Sequence, residues 1–449
     1  MCGRSLMITL EFIVIILCLL AGTRFGGMGL GLISGIGLFL LTFIFGLEPG
    51  KPPVDVMLTI LAVIGCAATL QTAGGLNVMM QFAERLLRRH PQHITLLAPL
   101  TTWTLTFLCG TGHVVYTMFP IIADIALKKN IRPERPMAVA SVASQMAITA
   151  SPVSVAVVSL VSILGAQHGV GEAWSILEIL AVSVPASLFG VLIAALWSLR
   201  RGKNLDDDEA FQARIRDPKQ REFIYGGTDT LMNQRFTRLV VHLDFLRGYF
   251  AGGAARRAAC SASGIGQRNR PLSMNLVIQM MMLIAGAVML VVCKVNAASI
   301  SSGAVFKAGM VAIFSVFGVA WMSDTFFRAH LEELKMALEG VVKSHPWTYA
   351  LVLFLVSKLV NSQAAALTAV APMGLMLGVE PKMLVAFFPA SYGYFVLPTY
   401  PSDLACIGFD RSGTTRIGKF ILNHSFILPG LIGVSCACAA SYLLVQLFF

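Results

Sequence analysis

Polar side chains are scarce in the apolar stretches of this chain, so the few that interrupt them are the candidates for chemistry. Thr111 and His113 follow Gly110 at the end of one apolar run, and Lys358, Asn361, Ser362 and Gln363 break another. Ser151 and Ser154 flank Pro152 in a third run, and Thr399, Ser402 and Asp403 lie around Pro398 and Pro401 in a fourth. Hydroxyls, amides and backbone N–H groups can hold a carboxylate without a fixed full charge. Two such clusters, a molecule's length apart, suit a small anion with a carboxylate at each end. Unwound helix ends add free N–H groups and the positive end of the helix dipole.

The ionisable residues carry alternatives. Lys358 sits inside an apolar run, where a charge is a functional candidate, although its side chain could instead snorkel to an interface. His113 reads as a neutral donor that orients its loop, or as a proton relay near neutral pH. Asp403 is either a coupling-ion site or the countercharge of Lys358 or Arg411. Asp410 and Arg411 read as an ion pair within a turn. Glu11 lies in the first apolar run without an evident partner.

The elements that position these groups must be membrane helices. Of the 449 residues, 56% are hydrophobic and 13% charged, and the mean hydropathy is +0.75. Soluble domains carry about 25% charged residues. A charge at the bilayer centre costs about 3 kcal/mol, which is why spanning segments exclude it. Apolar runs of roughly spanning length lie at Met7–Gly22, Gly27–Leu47, Val54–Leu70, His93–Cys109, Val114–Leu127, Pro136–Leu164 and Ile176–Leu199. After a polar stretch come Leu272–Cys293, Phe306–Met322, Trp347–Leu377, Met383–Leu397 and Lys419–Phe449.

The interruptions are paired. Gly110 and then Pro152 break the first half, and Asn361 and then Pro398 break the second, at similar intervals. Matched breaks in two apolar halves point to an inverted-repeat transporter, because irregular backbone survives at membrane depth only where it lines a cavity or packs within protein. The expected fold is an all-α polytopic membrane protein of two inverted repeats, with re-entrant hairpins and broken helices. Its expected division is a first repeat at 1–199, a polar connector at 200–270 and a second repeat at 271–449.

Other classes are excluded. The net charge of +11 reflects basic connectors such as Arg85, Arg88 and Arg89, as the positive-inside rule expects, and no nucleic-acid-binding pattern accompanies it. Nine cysteines show no metal-ligand spacing and read as small packing residues. No G-x-S-x-G, Walker A or H-E-x-x-H sequence supports an enzyme or an ATP-driven pump. No cofactor is expected.

Seven stretches resemble the Dcu family of bacterial anaerobic C4-dicarboxylate transporters. They are Gly50-Lys-Pro-Pro-Val-Asp-Val-Met57, Cys109-Gly-Thr-Gly-His-Val-Val-Tyr116, Ile131-Arg-Pro-Glu-Arg-Pro136, Ala150-Ser-Pro-Val-Ser154 with the apolar run after it, Lys358-Leu-Val-Asn-Ser-Gln363, Leu397-Pro-Thr-Tyr-Pro-Ser-Asp403 and Phe409-Asp-Arg-Ser-Gly-Thr-Thr415. The resemblance runs in order along nearly the whole chain. It implies a multi-pass carrier of the bacterial inner membrane for fumarate, succinate, malate and aspartate, working by exchange or by cation-coupled uptake. The expected partners are the substrate, the bilayer and a regulatory sensor protein. The alternatives are a carrier of another organic anion, or a membrane sensor that binds the anion without moving it.

One stretch departs from the family pattern, which places a membrane helix between Phe236 and Arg270. Here Arg238, Arg247, Arg256, Arg257, Arg268 and Arg270 stand against Asp244 alone. This composition fits a stretch read out of frame between two compensating shifts. Read in frame, it would form a basic interfacial helix.

Overall fold

The computed structural model describes residues 2–25, 28–165, 174–225, 274–330, 333, 345, 347–398, 400–418 and 423–449. The anomalous stretch from Phe236 to Arg270 lies outside them. The described residues are mainly helical, and their β pairing is limited to an isolated bridge between Ile417 and His424. In chain order the helices used below are α1 (Cys2–Phe25), α2 (Gly29–Phe39), α3 (Val54–Thr72), α4 (Gly75–Arg89), α5 (Ile94–Cys109), α6 (Val115–Lys128), α7 (Glu134–Met146), α8 (Val155–Gly165) and α9 (Ile176–Ser198). They continue with α10 (Glu209–Ile215), α11 (Pro218–Tyr225), α12 (Met274–Val292), α13 (Ala304–Ala329), α14 (Trp347–Val360), α15 (Gln363–Met376), α16 (Pro381–Ala386), α17 (Pro401–Phe409) and α18 (Ile427–Phe448).

Among the described residues, four segments are long and apolar enough to cross a membrane: Glu134–Gly165, Ile176–Ser198, Val305–Ala329 and Ile427–Phe448. Several others, including α14 and α15, are apolar but shorter. The apolar run at Met383–Leu397 forms no single helix. It holds the end of α16 and two 3₁₀ turns, at Phe388–Ser391 and Tyr394–Val396. Pro389 removes a backbone donor there and Gly393 loosens the chain.

The chain forms two compact units, each drawn from both sides of the polar connector. Unit 1 is Met1–Gly75, Val155–Ala181 and Thr237–Phe387; unit 2 is Leu76–Ser154, Val182–Phe236 and Phe388–Phe449.

In unit 1, α1 packs on α2, α3 packs on α12 and α13, and α15 packs on α8, α13 and α14. α2 and α13 approach backbone to backbone. A Cβ at Gly31 would lie 1.9 Å from the Phe314 carbonyl oxygen, and one at Gly318 would lie 2.0 Å from the Gly31 carbonyl oxygen. Small residues let helix backbones meet where no hydrophobic force drives them together in lipid. The Gly50-Lys-Pro-Pro segment docks on α13: the Gly50 N–H donates to Thr325 Oγ1 at 2.9 Å, the Lys51 N–H donates to Asp324 Oδ2 at 2.8 Å, and Trp321 Nε1 donates to the Gly50 carbonyl at 2.7 Å.

In unit 2 the core gathers around the α5–α6 hairpin, where Leu87, Ile94, Ala98, Met118, Phe119 and Phe426 are fully buried. The connector after α9 folds onto this unit. Phe211 and Ile224 from α10 and α11 join Leu127 and Leu205 in a small apolar cluster. Arg135 donates to the carbonyls of Arg201 at 2.6 Å and Gly202 at 2.8 Å, satisfying backbone oxygens just beyond the end of α9. Asp208 caps α10 by accepting the Phe211 N–H at 3.2 Å, and it pairs with Arg132 at 2.8 Å. Burial opposes its charge, but the Phe211 N–H, the Arg132 guanidinium and the Ala210 N–H together hold its carboxyl below the ordinary range.

Candidate functional site

Two helical hairpins, one in each unit, turn in the same way. In unit 2, α5 ends at Gly110 with φ +72°, and Thr111 follows in extended backbone at φ −140°, ψ 133°. The Thr111 hydroxyl accepts the His113 N–H at 3.4 Å, opening the turn that leads into α6. In unit 1, α14 ends at Val360, Asn361 takes φ +50°, and Ser362 is extended at φ −153°, ψ 124°. The Ser362 hydroxyl accepts the Ala365 N–H at 3.3 Å, capping α15. Each turn is therefore a left-handed residue followed by an N-cap hydroxyl.

The residue types at these tips follow from the geometry. Gly110 is required both by its φ and by space, since a Cβ there would lie 2.6 Å from the Val153 carbonyl oxygen. Asn361 adopts the left-handed region with a side chain, which Asn tolerates better than most residues, and its Oδ1 accepts from Lys358 Nζ at 3.2 Å. Lys358 therefore contacts the tip of its own hairpin. Gln363 begins α15 and is buried, with 3% exposure.

A buried polar cluster surrounds the tip in unit 2. A Cβ at Gly112 would meet Gln145 Nε2 at 2.3 Å, so the Gln145 amide lies directly against the turn. Gln145 Oε1 accepts from Tyr394 Oη at 2.7 Å, and the Tyr394 and Tyr400 rings lie 4.4 Å apart. Ser141 donates to Asp403 Oδ1 at 2.8 Å and lies 3.3 Å from Ser402 Oγ. His113 Nδ1 and Tyr116 Oη are 3.2 Å apart, and Asp403 lies within electrostatic reach of Tyr116, Tyr392 and Tyr400. Among the described residues, Ser391 Oγ and Tyr392 Oη are buried in this unit without a hydrogen-bond partner. Buried donors of this kind are costly unless something binds them.

The structure thus gathers Thr111, His113, Ser402 and Asp403 into unit 2, and Lys358, Asn361, Ser362 and Gln363 into unit 1. Ser151 and Ser154 also belong to unit 2, and their hydroxyls serve the break in the α7–α8 segment. Ser151 donates to the Phe107 carbonyl at 2.7 Å and Ser154 to the Ile148 carbonyl at 2.6 Å. Thr399 lies outside the described residues. Sequence reasoning missed Ser141, Gln145 and Tyr394. Their signal was present as polar residues on the otherwise small, apolar α7 and in the Ser391-Tyr-Gly-Tyr394 stretch.

The Phe409–Thr415 motif is a scaffold for this unit. The Asp410 carboxylate accepts from the Ser412 N–H at 2.9 Å, Thr414 Oγ1 at 2.9 Å and the Thr415 N–H at 2.6 Å, and also from the Ser412 hydroxyl. Thr414 Oγ1 accepts the Glu134 N–H at 3.1 Å, and the Glu134 carboxylate takes Arg132 at 2.8 Å, Arg201 at 2.9 Å and Ser425 Oγ at 2.7 Å. These contacts fix the start of α7, and through it the positions of Ser141 and Gln145.

Apolar helices, broken segments and paired turns with buried donors define a polytopic membrane transporter. The model of the family DcuA_DcuB, described as anaerobic C4-dicarboxylate membrane transporter, matches residues 7–449, and the chain belongs to that family. It is 52% identical over 447 residues to the anaerobic C4-dicarboxylate transporter DcuB of Escherichia coli O6:H1, covering 99% of each chain. It is 37% identical over 442 residues to the C4-dicarboxylate transporter DcuA of Wolinella succinogenes, covering 98% of this chain and all (100%) of the relative. Among solved structures, the YdaH transporter of Alcanivorax borkumensis superposes with a TM-score of 0.51 at 15% identity, covering 98% of each chain. MtrF of Neisseria gonorrhoeae superposes with 0.52 at 13% identity, covering 98% of this chain and 94% of MtrF; these two establish the fold alone. The chain is a transporter rather than an enzyme, and a multi-pass protein of the inner membrane.

Proposed function

We propose that this chain carries C4-dicarboxylates such as fumarate, succinate, malate and aspartate by alternating access, exchanging one for another or taking them up with cations. The observation that carries this reading is the pair of like turns, Gly110-Thr111 and Asn361-Ser362, at the tips of two helical hairpins. Each tip offers donors to a carboxylate, and the two like turns fit two repeats at 1–199 and 271–449 with the hairpins re-entrant. Thr111, His113, Ser402, Asn361, Ser362, Gln363 and Lys358 supply donors, with Thr399 as a further candidate, and Ser151 and Ser154 shape the break. Asp403, held by Ser141, is the charged member that tunes the site. The proposed partners are the substrate, the bilayer and a regulatory sensor protein.

Counterflow in proteoliposomes tests the proposal. Vesicles preloaded with unlabelled succinate should accumulate labelled fumarate, and Thr111→Trp and Asn361→Trp should each abolish entry. A protein that inserts and binds fumarate but shows no counterflow would be a sensor, and the carrier reading would be wrong.

A further inference from the structure

Glu11 found no partner along the sequence, and the fold supplies one. His330, which follows α13, brings Nε2 into hydrogen-bond contact with Glu11 Oε2, across 319 residues of sequence. Both residues belong to unit 1. Glu11 is 2% exposed and His330 is 7% exposed. Two aromatic rings wall the pair: Phe326 lies 4.9 Å from the His330 ring and 5.9 Å from Phe12. The other ring nitrogen, His330 Nδ1, is buried with no hydrogen-bond partner among the described residues.

Among the described residues, the neighbouring elements offer this pair little compensation. α2 carries no titratable side chain. On α13, Asp324 and Arg328 pair with each other at 2.7 Å, and Lys307 lies in its first turns. On α14, Lys358 bonds Asn361, and Tyr349 is buried. On α1 itself, Arg24 stands in the last turn, and Cys18 is the other titratable group on its buried face. Glu333 follows three positions after His330.

We propose that Glu11 and His330 form a proton-binding site that carries the proton moved with the dicarboxylate; this rests on the transport reading above. A carboxylate and an imidazole sharing one proton are together neutral. Without that proton the site is a buried anion, which is costly away from water. Nδ1, without a hydrogen-bond partner among the described residues, is the atom at which water can deliver or remove the proton, with the Glu11–Nε2 contact shifting to match. No bond other than those to the proton is made or broken.

Two assays on the full-length protein in proteoliposomes separate this site from the transport reading. In wild type, an imposed gradient, acid outside, should stimulate labelled fumarate uptake, and counterflow at equal pH should proceed without it. Glu11→Gln and His330→Gln should both lose the stimulation while keeping wild-type counterflow, and Glu11→Asp should recover part of it. Stimulation that persists in both Gln variants overturns the proposal, as does loss of counterflow in variants that melt like wild type. A wild-type protein with counterflow but no response to the gradient also overturns it, whereas absence of counterflow in wild type overturns the transport reading itself. If the variants fail to fold, wild-type protein in weakly buffered detergent decides the matter. A proton taken up or released on adding fumarate, read with an indicator dye, supports the site, and no proton movement overturns it.

Discussion

The Ser141 hydroxyl donates to the Asp403 carboxylate at 2.8 Å, and both residues are essentially removed from solvent. This contact joins α7 to α17 within unit 2 and places a neutral donor on the buried acid. Hydrogen bonds to charged groups contribute about 1.5–3 kcal/mol, and a buried carboxylate that loses one keeps its desolvation cost.

Ser141→Ala should therefore lower stability by about 2 kcal/mol and reduce fumarate exchange, while Ser141→Thr should preserve both. Thermal melting in detergent beside initial counterflow rates checks this. Equal melting of Ser141→Ala and wild type would show that Asp403 does not depend on this bond.

Asn361 combines two tasks that a single substitution can separate. Asn361→Gly keeps the left-handed turn, which glycine adopts freely, but removes the acceptor that Lys358 uses at 3.2 Å. The variant should melt like wild type and bind fumarate more weakly, as read by isothermal titration. Asn361→Val, which resists positive φ, should lower the melting midpoint by the equivalent of about 1–2 kcal/mol.

Gly31 and Gly318 allow α2 and α13 to touch backbone to backbone. Gly31→Val should force the helices apart at a cost of about 1–3 kcal/mol or more, read as loss of monodisperse protein on size exclusion. Val substituted at Gly35, where nothing lies within 4 Å of the added Cβ, should be accepted.

The connector carries a pH-dependent element. The folded Asp208 carboxyl is held below its ordinary value, so the unfolded chain takes up that proton first as pH falls. Its contribution to stability is complete above the ordinary pKa of about 3.9 and disappears as pH falls through the lower folded value. Melting should be insensitive to this group at neutral pH and should fall in acid. Asp208→Asn keeps a capping acceptor and should remove that part of the acid sensitivity, while Asp208→Ala should weaken α10 at all pH values.

Reading the two neighbouring frames of the gene across codons 236–270 tests the out-of-frame account of that segment. An apolar run of about 20 residues in one of them supports it. Charged residues throughout both frames would leave the in-frame basic helix as the correct reading.

Much of this arrangement was legible because breaks in apolar runs are local events. Gly110, Pro152, Asn361 and Pro398 each disturb the helix where they stand, so composition alone located the turns and interruptions. Partners from distant parts of the chain left no such mark. Ser141 and Gln145 look like minor polar residues until Asp403 and Tyr394 arrive beside them, and Glu11 seemed isolated because His330 is far along the sequence. The run at Met383–Leu397 read as a span because apolar content is easily counted, whereas the effect of Pro389 and Gly393 depends on what their neighbours can bond.

The bond between Gln145 and Tyr394, separated by 249 residues, also imposes an order on synthesis. When α7 emerges from the ribosome, the Tyr394 hydroxyl that will meet Gln145 has not been made, nor has Ser425 for Glu134. The nascent first half must therefore wait in the membrane with polar groups exposed on an incomplete helix bundle. Contacts this distant in sequence close late and slowly, so the insertion machinery must shelter these side chains until Tyr394 and Ser425 are delivered. A truncation before Tyr394 should consequently leave a protein that is recognised and degraded, however sound its earlier helices.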